Sequence, residues 1–468
     1  MVDILIKNST IISMDKERRI IKDGGLAIDD GSIIFLGPTE KTVSSYHGEK
    51  TIDGRGMVTI PGLINAHTHM YQDLLRGLGD DMGLMEWLRA MMLPNNAVLT
   101  PEDVYIASLL GCIEQLKTGT TSVIDNLTAS TSERSVDYSA RAIKESGIRG
   151  MIARGVKENK TGRKDDVYMD ASYTPEEEAQ VTARLIGKYN NEPRHMVKIC
   201  PGPISTLSSG PEQFQRMKEL SEKYKVPIHT HVAEVREEVE NTLRNHGMRE
   251  VEFLHKIGVL GPRFHVVHGV WLNTLEIGLL AETGAHLIHC PVSNMILASG
   301  VSPVLEALDK RVNVALGSDG PASNNNQDMF GVLKTASLLQ KVTSLNPKAM
   351  PCEKVLEMAT LGGARALGME EEIGSLEPGK RADIVLVDIM KPHIMPIHNP
   401  VSALVYSAMG TDVHTVIVDG KIIVEGGKIL TLNEQEVVER SQKAADELVQ
   451  RSGTSELRNR KWPTAERF

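Results

Sequence analysis

The chain has 468 residues, of which 41% are hydrophobic and 24% charged, as in ordinary globular proteins and unlike disordered ones. Lys and Arg number 52 against 61 Asp and Glu, and the net charge of −9 argues against a nucleic-acid-binding protein with a basic face. Cys112, Cys200, Cys290 and Cys352 form no CxxC pair, which argues against a disulfide scaffold or a thiolate zinc site. No apolar run reaches the ~18 residues that span a bilayer, so we expect a cytoplasmic protein without a membrane partner.

Two β-rich segments bracket the chain. Residues 1–57 contain short apolar runs, and Asp30-Gly31 between two of them is a hairpin signal. Residues 371–430 repeat the pattern, with a second hairpin signal at Asp419-Gly420. Because neither segment is long enough to bury a core alone, we predict one small β-sandwich domain formed from both chain ends. A C-terminal helix and a polar tail are expected over residues 431–468.

Between these segments, over residues 58–370, short apolar runs alternate with helix-like stretches. Eight β-α units in roughly 300 residues are typical of an α/β protein with a (β/α)8 TIM barrel. A doubly wound open sheet is the alternative that this pattern leaves open. The eight strand candidates are residues 58–66, 121–125, 148–153, 196–200, 226–231, 264–268, 285–289 and 312–317.

Residues 70–100 interrupt the repeat and are rich in glycine and methionine. A long loop after the first barrel strand would lie over the face that carries barrel active sites, where it could act as a substrate lid. A helical insertion that only packs against the barrel is the equally weighted alternative.

Histidine and aspartate recur where the strand candidates end. His67 and His69 follow the first strand, and in extended backbone residues i and i+2 point to the same side. His231 and His268 end the fifth and sixth strands, and Asp319 lies just past the eighth. Since barrel active sites are built at the carboxyl ends of the strands, we predict a shared metal site there. The predicted ligands are His67, His69, His231 and Asp319.

This ligand set predicts hydrolytic chemistry. Nitrogen and carboxylate ligands without thiolates suit Zn or Fe(II), and a catalytic ion keeps an open position in which it activates water. We expect Asp319 to accept a proton from that water, and His268 to orient the nucleophile and stabilise its charge. Glu234, three residues after His231, is the predicted general acid for a ring nitrogen. Without a metal site nearby, a capping or solvated glutamate would be the better interpretation of Glu234.

Other polar residues around these strands receive different interpretations. His229 is expected behind the ligands, as a core residue or one that supports them. His289 is as compatible with the pocket as with a structural role. Lys198 would allow a binuclear centre with a modified lysine, but its depth in the fourth strand favours a single ion. The glutamates at 237, 238 and 240 are expected to be capping or solvated residues.

The strand-end motifs together resemble those of the amidohydrolase superfamily. Pro61-Gly-Leu-Ile-Asn-Ala-His-Thr-His69 resembles the first-strand motif of that superfamily. His231-Val-Ala-Glu234, Val267-His268-Gly269 and Gly317-Ser-Asp-Gly320 resemble the motifs of the fifth, sixth and eighth strands. The resemblance covers essentially the whole chain. It implies a distorted (β/α)8 barrel, one Zn or Fe(II) ion per subunit, hydrolysis of a small molecule, and a homodimer or homotetramer.

Within the superfamily, the sequence is most similar to the methylthioadenosine/S-adenosylhomocysteine deaminases and the s-triazine hydrolases. A carboxylate can hold a ribose diol, and an arginine can hold a carboxylate or a ring acceptor. The supporting stretches are residues 86–88, 153–155, 289–294, 300–303, 319–325 and 356–365. The substrate contacts that this resemblance implies are Glu86, Trp87, Arg154, Glu234 and Asn294.

Ile204 marks a departure from the adenosine-type deaminases of this group. Those enzymes carry a histidine after the Gly-Pro that ends the fourth strand, whereas this chain has Gly202-Pro-Ile-Ser205. An apolar side chain thus replaces a polar substrate contact at position 204. The change leaves room for a less polar ring or for a different nucleoside pose.

We therefore predict a metal-dependent hydrolytic deaminase of an aminated N-heteroaromatic ring, with adenosine-like compounds such as methylthioadenosine or S-adenosylhomocysteine first. Release of chloride or an amine from an s-triazine is the alternative, because the same ligands and acid serve both reactions. A non-catalytic binding module is a third hypothesis. It is disfavoured because such relatives usually lose metal ligands, and all four are present here.

Overall fold

The computed structural model describes residues 1–129, 132–156 and 174–458, and most of the predicted polar tail lies outside these residues. The strands of the described residues are β1 Val2–Ile12, β2 Ile20–Asp29, β3 Ser32–Pro38, β4 Gly48–Asp53, β5 Met57–Pro61, β6 Leu63–Thr68, β7 Thr120–Leu127, β8 Arg149–Val156, β9 Val197–Pro203, β10 Ile228–Val232, β11 Phe264–His268, β12 His286–His289, β13 Asn313–Leu316, β14 Ile384–Asp388, β15 Val413–Val418, β16 Lys421–Glu425 and β17 Lys428–Ile429.

Helices separate most of these strands. The α-helices are α1 Thr39–Ser45, α2 Leu84–Trp87, α3 Leu93–Val98, α4 Pro101–Lys117, α5 Glu133–Ser146, α6 Pro175–Tyr189, α7 Pro211–Tyr224, α8 Arg236–His246, α9 Glu250–Lys256, α10 Thr274–Thr283, α11 Pro291–Ile296, α12 Val304–Asp309, α13 Pro321–Asn324, α14 Met329–Ser344, α15 Cys352–Glu357, α16 Gly363–Leu367, α17 Pro400–Tyr406 and α18 Glu434–Ser452. Short 3₁₀ helices cover Met70–Leu75, Gly410–Asp412 and Ser455–Arg458, and π-helical turns cover Leu88–Met92 and Met358–Gly362. No helix of the described residues is long and apolar enough to cross a membrane.

Strands from both chain ends form one nine-stranded sheet. Its order is β17-β16-β15-β14-β5-β1-β2-β3, with β4 paired to β1. The central strand β5 joins the two ends, because it pairs antiparallel with β14 and parallel with β1. The hairpins predicted at Asp30-Gly31 and Asp419-Gly420 are present, and all four residues have positive φ, as a tight two-residue turn requires.

The sheet is apolar on both faces where β14 crosses it. Ile384 and Leu386 pack into the core between the terminal strands, whereas Val385 and Val387 belong to the large core that continues into the barrel. This explains why the strand is an uninterrupted apolar run, since it has no solvent-facing side. The strands from the two ends are thus held against the barrel as a sandwich-like unit.

The other eight strands form the barrel. They lie in two four-stranded parallel sheets, β6-β7-β8-β9 and β10-β11-β12-β13. Backbone hydrogen bonds join the two sheets at both seams: His231 N donates to Ile204 O at 3.1 Å, and Asp319 N donates to His67 O at 2.9 Å. The predicted α/β class with a distorted (β/α)8 barrel is therefore confirmed, and both seams lie at predicted site residues.

The strand predicted over residues 58–66 is in fact two strands. β5 belongs to the terminal sheet, and β6 begins the barrel only after Gly62. A side chain at Gly62 would place its Cβ 1.9 Å from Thr121 Oγ1, so glycine is required where the chain passes β7. The division into residues 1–57, 58–370, 371–430 and 431–468 remains our proposal for the domains.

Residues 70–98 form a helical insertion. The 3₁₀ helix Met70–Leu75 is buried throughout, and α2, the π-turn and α3 follow in succession. Trp87 is buried, and its Nε1 donates to the carbonyl of Ala322 at 3.1 Å, which ties the insertion to the loop after the eighth barrel strand. The segment thus packs on the barrel, and its role as a lid stays a prediction.

Candidate metal centre and active site

The structure brings the four predicted ligands together at one end of the barrel. His67 lies at the end of β6 and His69 directly after it, His231 lies near the end of β10, and Asp319 follows β13. His67 Nε2 is 3.3 Å from Asp319 Oδ1, and His69 Nε2 is 3.5 Å from the same oxygen. His231 Nε2 lies 3.3 Å from His69 Nε2. His231 is partly buried and the other three are buried.

This arrangement fits a single metal ion. Ligand atoms about 2.1 Å from a tetrahedral ion lie about 3.4 Å from each other, close to the separations found here. His67 Nε2 is buried and has no hydrogen-bond partner among the described residues, although Asp319 is near. The ligand atoms of His67, His69 and His231 all lie within 4.8 Å of one another, and so do those of His67, His268 and Asp319.

Backbone carbonyls accept hydrogen bonds from two of the predicted ligands, at the nitrogen that faces away from the cluster. His69 Nδ1 donates to Asn126 O at 2.5 Å, and His231 Nδ1 donates to Ile204 O at 2.8 Å. Because a carbonyl can only accept, these bonds place the hydrogen on Nδ1 and leave Nε2 as a ligand. Burial also lowers the pKa of His69 and of His231, which favours the neutral imidazole that a metal needs.

Asp319 is held by a shell of donors. Gly320 N donates to Oδ1 at 2.7 Å, and the hydroxyls of Ser293 and Ser323 donate to Oδ2 at 2.6 and 3.1 Å. Burial raises the pKa of Asp319, but its favourable interactions with His67, His268 and His69 outweigh this effect and hold the pKa well below its ordinary value. Sequence reasoning missed both serines, although they lie within the motif stretches 289–294 and 319–325.

Glu234 has the opposite protonation behaviour. It is 4% exposed, and its Oε2 lies 3.6 Å from His268 Nε2. Burial, followed by the charges of Asp319 and Glu250, raises the pKa of Glu234 well above its ordinary value. A carboxylic acid that stays protonated near neutral pH can donate a proton to a bound ring, as a general acid must.

Two buried glutamates hold the turn that carries Glu234. Glu238 accepts from Glu234 N at 2.9 Å, and Glu250 accepts from Ala233 N at 2.7 Å. Ala233 has φ +52°, so the turn needs this support. Of the two expected roles of Glu238, capping and solvated, the structure shows the first: Glu238 accepts from Val235 N at the start of α8 and is 3% exposed. Burial, with a smaller contribution from the neighbouring Glu234 carboxyl group, raises the pKa of Glu238 to about 8. Glu237 is exposed as expected.

His268 is oriented by Asn294. His268 Nδ1 lies 3.0 Å from Asn294 Oδ1, so this nitrogen carries the hydrogen and Nε2 faces Glu234. Asn294, predicted as a substrate contact, is 1% exposed and touches His268 directly. Its Nδ2 has no hydrogen-bond partner among the described residues, so a substrate contact from that atom stays a prediction.

The remaining predicted substrate contacts lie in different surroundings. Glu86 is exposed on α2, next to the buried Trp87. Arg154, near the end of β8, is fully buried and pairs with Glu178 of α6, and it donates to Thr182 Oγ1 at 3.0 Å. Ile204 is buried but lies outside the hydrophobic core clusters.

The structure also shows the surroundings of three other polar residues on the barrel strands. His229 lies behind the ligands, as expected, with its Nε2 2.8 Å from His67 Nδ1. His289 is fully buried, and neither ring nitrogen has a hydrogen-bond partner among the described residues. Lys198 is partly buried, and the charges that act on it are those of Glu372 and Arg149 and Arg381. This surrounding adds to the argument against Lys198 as a bridging ligand.

Comparison with known proteins identifies the family. The sequence model of the amidohydrolase family matches residues 58–423. A 5-methylthioadenosine/S-adenosylhomocysteine deaminase of Syntrophobacter fumaroxidans is 39% identical over 439 residues, which are 94% of this chain and 96% of that protein. A 5'-deoxyadenosine deaminase of Methanothermobacter thermautotrophicus is 42% identical over 430 residues, 92% of this chain and 95% of that protein.

Solved structures agree in fold along the chain. An adenosine deaminase from Xanthomonas campestris with bound zinc superposes with a TM-score of 0.90 at 30% identity, over 96% of this chain and 99% of that one. Atrazine chlorohydrolase from Arthrobacter aurescens, complexed with zinc, gives 0.85 at 27% identity, over 94% and 100% of the two chains. With a family match across the barrel and relatives near 40% identity over almost the full length, the chain belongs to the amidohydrolase family.

Proposed function

We propose that the protein is a metal-dependent deaminase that hydrolyses the exocyclic amine of an adenosine-type nucleoside. The observation that carries this proposal is the position of Glu234, a buried carboxyl group with a raised pKa beside the cluster of candidate metal ligands. Attack of water on an aromatic ring requires a proton for the ring nitrogen, and Glu234 is the acid placed to supply it. The deaminase names of relatives at about 40% identity support the same reaction.

The ion belongs to this proposal. We assign one zinc or Fe(II) ion per subunit to His67, His69, His231 and Asp319, whose donor types suit either metal. When bound, such an ion makes a water molecule acidic enough to attack near neutral pH. Zinc in two similar structures supports the assignment.

The protein side chains then have distinct tasks. Asp319 accepts a proton from the attacking water, and the oxygen of that water bonds to the ring carbon that bears the amine. His268, neutral and protonated on Nδ1, accepts a hydrogen bond at Nε2 and so orients that water. Glu234 protonates the adjacent ring nitrogen. The proton taken from water passes from Asp319 to the amine, the carbon–nitrogen bond breaks, and ammonia leaves. The proton of the hydroxyl group now on that carbon returns to Glu234, so that a lactam forms and both carboxyl groups regain their starting states.

The proposal of a nucleoside substrate depends on the names of the relatives, and the apolar side chain of Ile204 argues against a polar contact at one position. The names of the relatives point to 5'-deoxyadenosine, methylthioadenosine and S-adenosylhomocysteine as first substrates. The second candidate is displacement of chloride or an amine from an s-triazine. It is favoured by the apolar side chain of Ile204 and by the similarity to atrazine chlorohydrolase.

A substrate panel tests these proposals. Ammonia and chloride release would be measured on 5'-deoxyadenosine, methylthioadenosine, S-adenosylhomocysteine, a pterin, and amino- and chlorotriazines. We expect ammonia release with kcat/KM at least ~100-fold higher for one of the adenosine compounds than for any triazine, equivalent to about 2.7 kcal/mol. Preferential release of chloride would favour the triazine reaction instead. Full activity after removal of all transition metal would contradict the metal-dependent mechanism.

The assembly and its location are further parts of the proposal. We infer a cytoplasmic homodimer or homotetramer that acts on a small molecule and binds neither nucleic acid nor membrane. Light scattering of the purified protein at micromolar concentration would measure the assembly. A monomer at that concentration would contradict it.

A further inference from the structure

The third histidine ligand differs from the other two in what holds its outer nitrogen. His69 and His231 each donate from Nδ1 to a backbone carbonyl, which can only accept. His67 Nδ1 instead lies 2.8 Å from His229 Nε2, another imidazole nitrogen. An imidazole can donate or accept, so this contact does not by itself decide which nitrogen of His67 carries the hydrogen.

A second imidazole stands behind the first. His229 Nδ1 lies 3.0 Å from His265 Nδ1, and β10 and β11 place these two residues side by side in register. His67, His229 and His265 are all fully buried. The three rings therefore form a continuous line of nitrogen–nitrogen hydrogen bonds that leads from the metal site into the barrel core.

Only one order of hydrogens along this line leaves His67 able to bind a metal. If His67 Nε2 is a ligand, Nδ1 must carry the hydrogen, and His229 Nε2 accepts it. His229 then donates from Nδ1, and His265 Nδ1 accepts. In the reverse order, His67 Nε2 would carry a hydrogen directed towards Asp319 Oδ1, 3.3 Å away, and could not bind the ion.

We propose that His229 and His265 are positioning residues that hold His67 in the tautomer required for metal binding. His229 acts as the acceptor for His67, and His265 as the acceptor for His229. Hydrogen-bond partners of this kind fix the orientation and tautomer of ligating histidines, and their loss typically weakens metal affinity by 10- to 100-fold. The inference rests on the proposed role of His67 as a ligand.

Substitution of His229 by amide side chains of different length distinguishes a role as hydrogen-bond acceptor for His67 from a role in packing alone. In His229→Gln, the side-chain oxygen reaches about the position of Nε2 and can still accept from His67. In His229→Asn, the amide lies near the position of Nδ1, and His229→Leu has no acceptor. The zinc dissociation constant of each variant would be measured by competition with a chelating dye, without substrate.

We expect zinc binding to weaken about 10- to 100-fold in His229→Asn and His229→Leu, and by no more than about threefold in His229→Gln. His265→Leu, which removes the acceptor for His229, should also weaken binding. The control is His286→Gln, another buried strand histidine. Its ring nitrogens hydrogen-bond with Pro262 O and Asn313, and its ring only packs edge-on against His265, with 5.5 Å between the ring centroids. It should bind zinc as the unaltered protein does.

Either of two results would overturn the inference: unchanged zinc affinity in the Asn and Leu variants, or an equal loss in all three His229 variants. If circular dichroism shows that His229→Leu does not fold, the comparison of His229→Gln with His229→Asn tests the positioning role. A wild-type protein that binds no zinc or iron would refute the proposed function itself. Normal wild-type binding with unchanged variants would refute only this positioning role.

Discussion

Asp319 and Glu234 lie beside the same histidines, yet their surroundings shift their pKa values in opposite directions. Burial opposes the charge on both groups. For Asp319, the interactions with His67, His268 and His69 outweigh burial and lower its pKa, whereas Glu234 faces the carboxyl groups of Asp319 and Glu250, which raise its pKa further. Carboxyl groups separated in this way can serve as base and acid at one pH.

A Glu234→Gln variant tests the role of Glu234 as general acid. Because glutamine cannot donate a proton to the ring, we expect kcat to fall by about 10²- to 10⁴-fold, while bound metal stays near the wild-type amount. Glu237→Gln, three residues further on and exposed, is the matched control and should keep its activity. Near-full turnover of the Glu234 variant would refute the acid role.

Short helices directly after the strands complete the site. α11 begins at Pro291 and α13 at Pro321, each at the first helical position, where proline is favoured. They carry Ser293 and Ser323 to Asp319, and α11 carries Asn294 to His268. The chain can make these contacts only where the loops between strand and helix stay tight.

Gly320 is such a tight position. A Cβ there would lie 1.9 Å from Gln72 Oε1 and 3.1 Å from His69 Cβ. Gly320→Ala should therefore displace the loop that carries Asp319, weaken zinc binding at least ~10-fold and destabilise the fold by about 1–3 kcal/mol. Chelator competition and urea unfolding would measure both effects.

Gly187→Ala is the control for this substitution. Gly187 lies in α6 with no atom within 4 Å of the added Cβ, so alanine should raise the free energy of unfolding by up to about 1 kcal/mol. Zinc affinity should not change. Equal behaviour of the two alanine variants would show that the contact at Gly320 is unimportant.

The C-terminal helix α18 is a structural element of the barrel. Leu448 on this helix is fully buried in the main core, whereas Val438 is 45% exposed. We expect Leu448→Ala to lower the free energy of unfolding by about 2–5 kcal/mol, because a cavity remains. Val438→Ala should change it by no more than about 0.5 kcal/mol. Urea unfolding would measure both changes. If Leu448→Ala lowered the free energy of unfolding as little as Val438→Ala, α18 would not be part of the cooperatively folded core.

Across the whole molecule, burial of ionisable groups makes stability depend on pH in two opposing ways. Burial lowers the pKa of His265 and His289 to about 3, so only the unfolded chain binds protons there as the pH falls below 6.5. Their stabilisation is present above pH 6.5 and is lost on acidification. Glu238 has the opposite effect, because its pKa is raised to about 8 in the folded protein. Its contribution to the stability of the fold is present at low pH and is lost as the pH rises towards 8.

His289→Gln isolates one of these contributions. Between pH 6.5 and 4, the wild type should lose about 1.4 kcal/mol per pH unit from this residue, and the variant should not. The difference in free energy of unfolding between the two metal-free proteins should therefore shift in favour of the variant by about 1 kcal/mol between pH 7 and 5.5. Urea titrations at both pH values would measure it. A constant difference would show that His289 does not stay neutral when folded.

Much of the fold and the cluster of candidate ligands could be predicted because strand periodicity and strand-end residues are local signals. The residues that support the cluster carry no such signal. Ser293 and Glu238 have ordinary positions on helices, and only the approach of other strands shows what they bind. The strand over residues 58–66 was predicted as one because apolar runs do not reveal where a chain leaves one sheet for another.

The sequence by itself determined the alternation of strands and helices, the family, and which histidines and carboxylates end the strands, because these follow from residue order. Only the tertiary structure decided the distances between Asp319 and the neighbouring histidines, the line from His67 to His265, and the burial that raises the pKa of Glu234. Those properties arise from contacts between residues far apart in the chain. The pKa of a carboxyl group depends on what surrounds it in space, which residue order does not show.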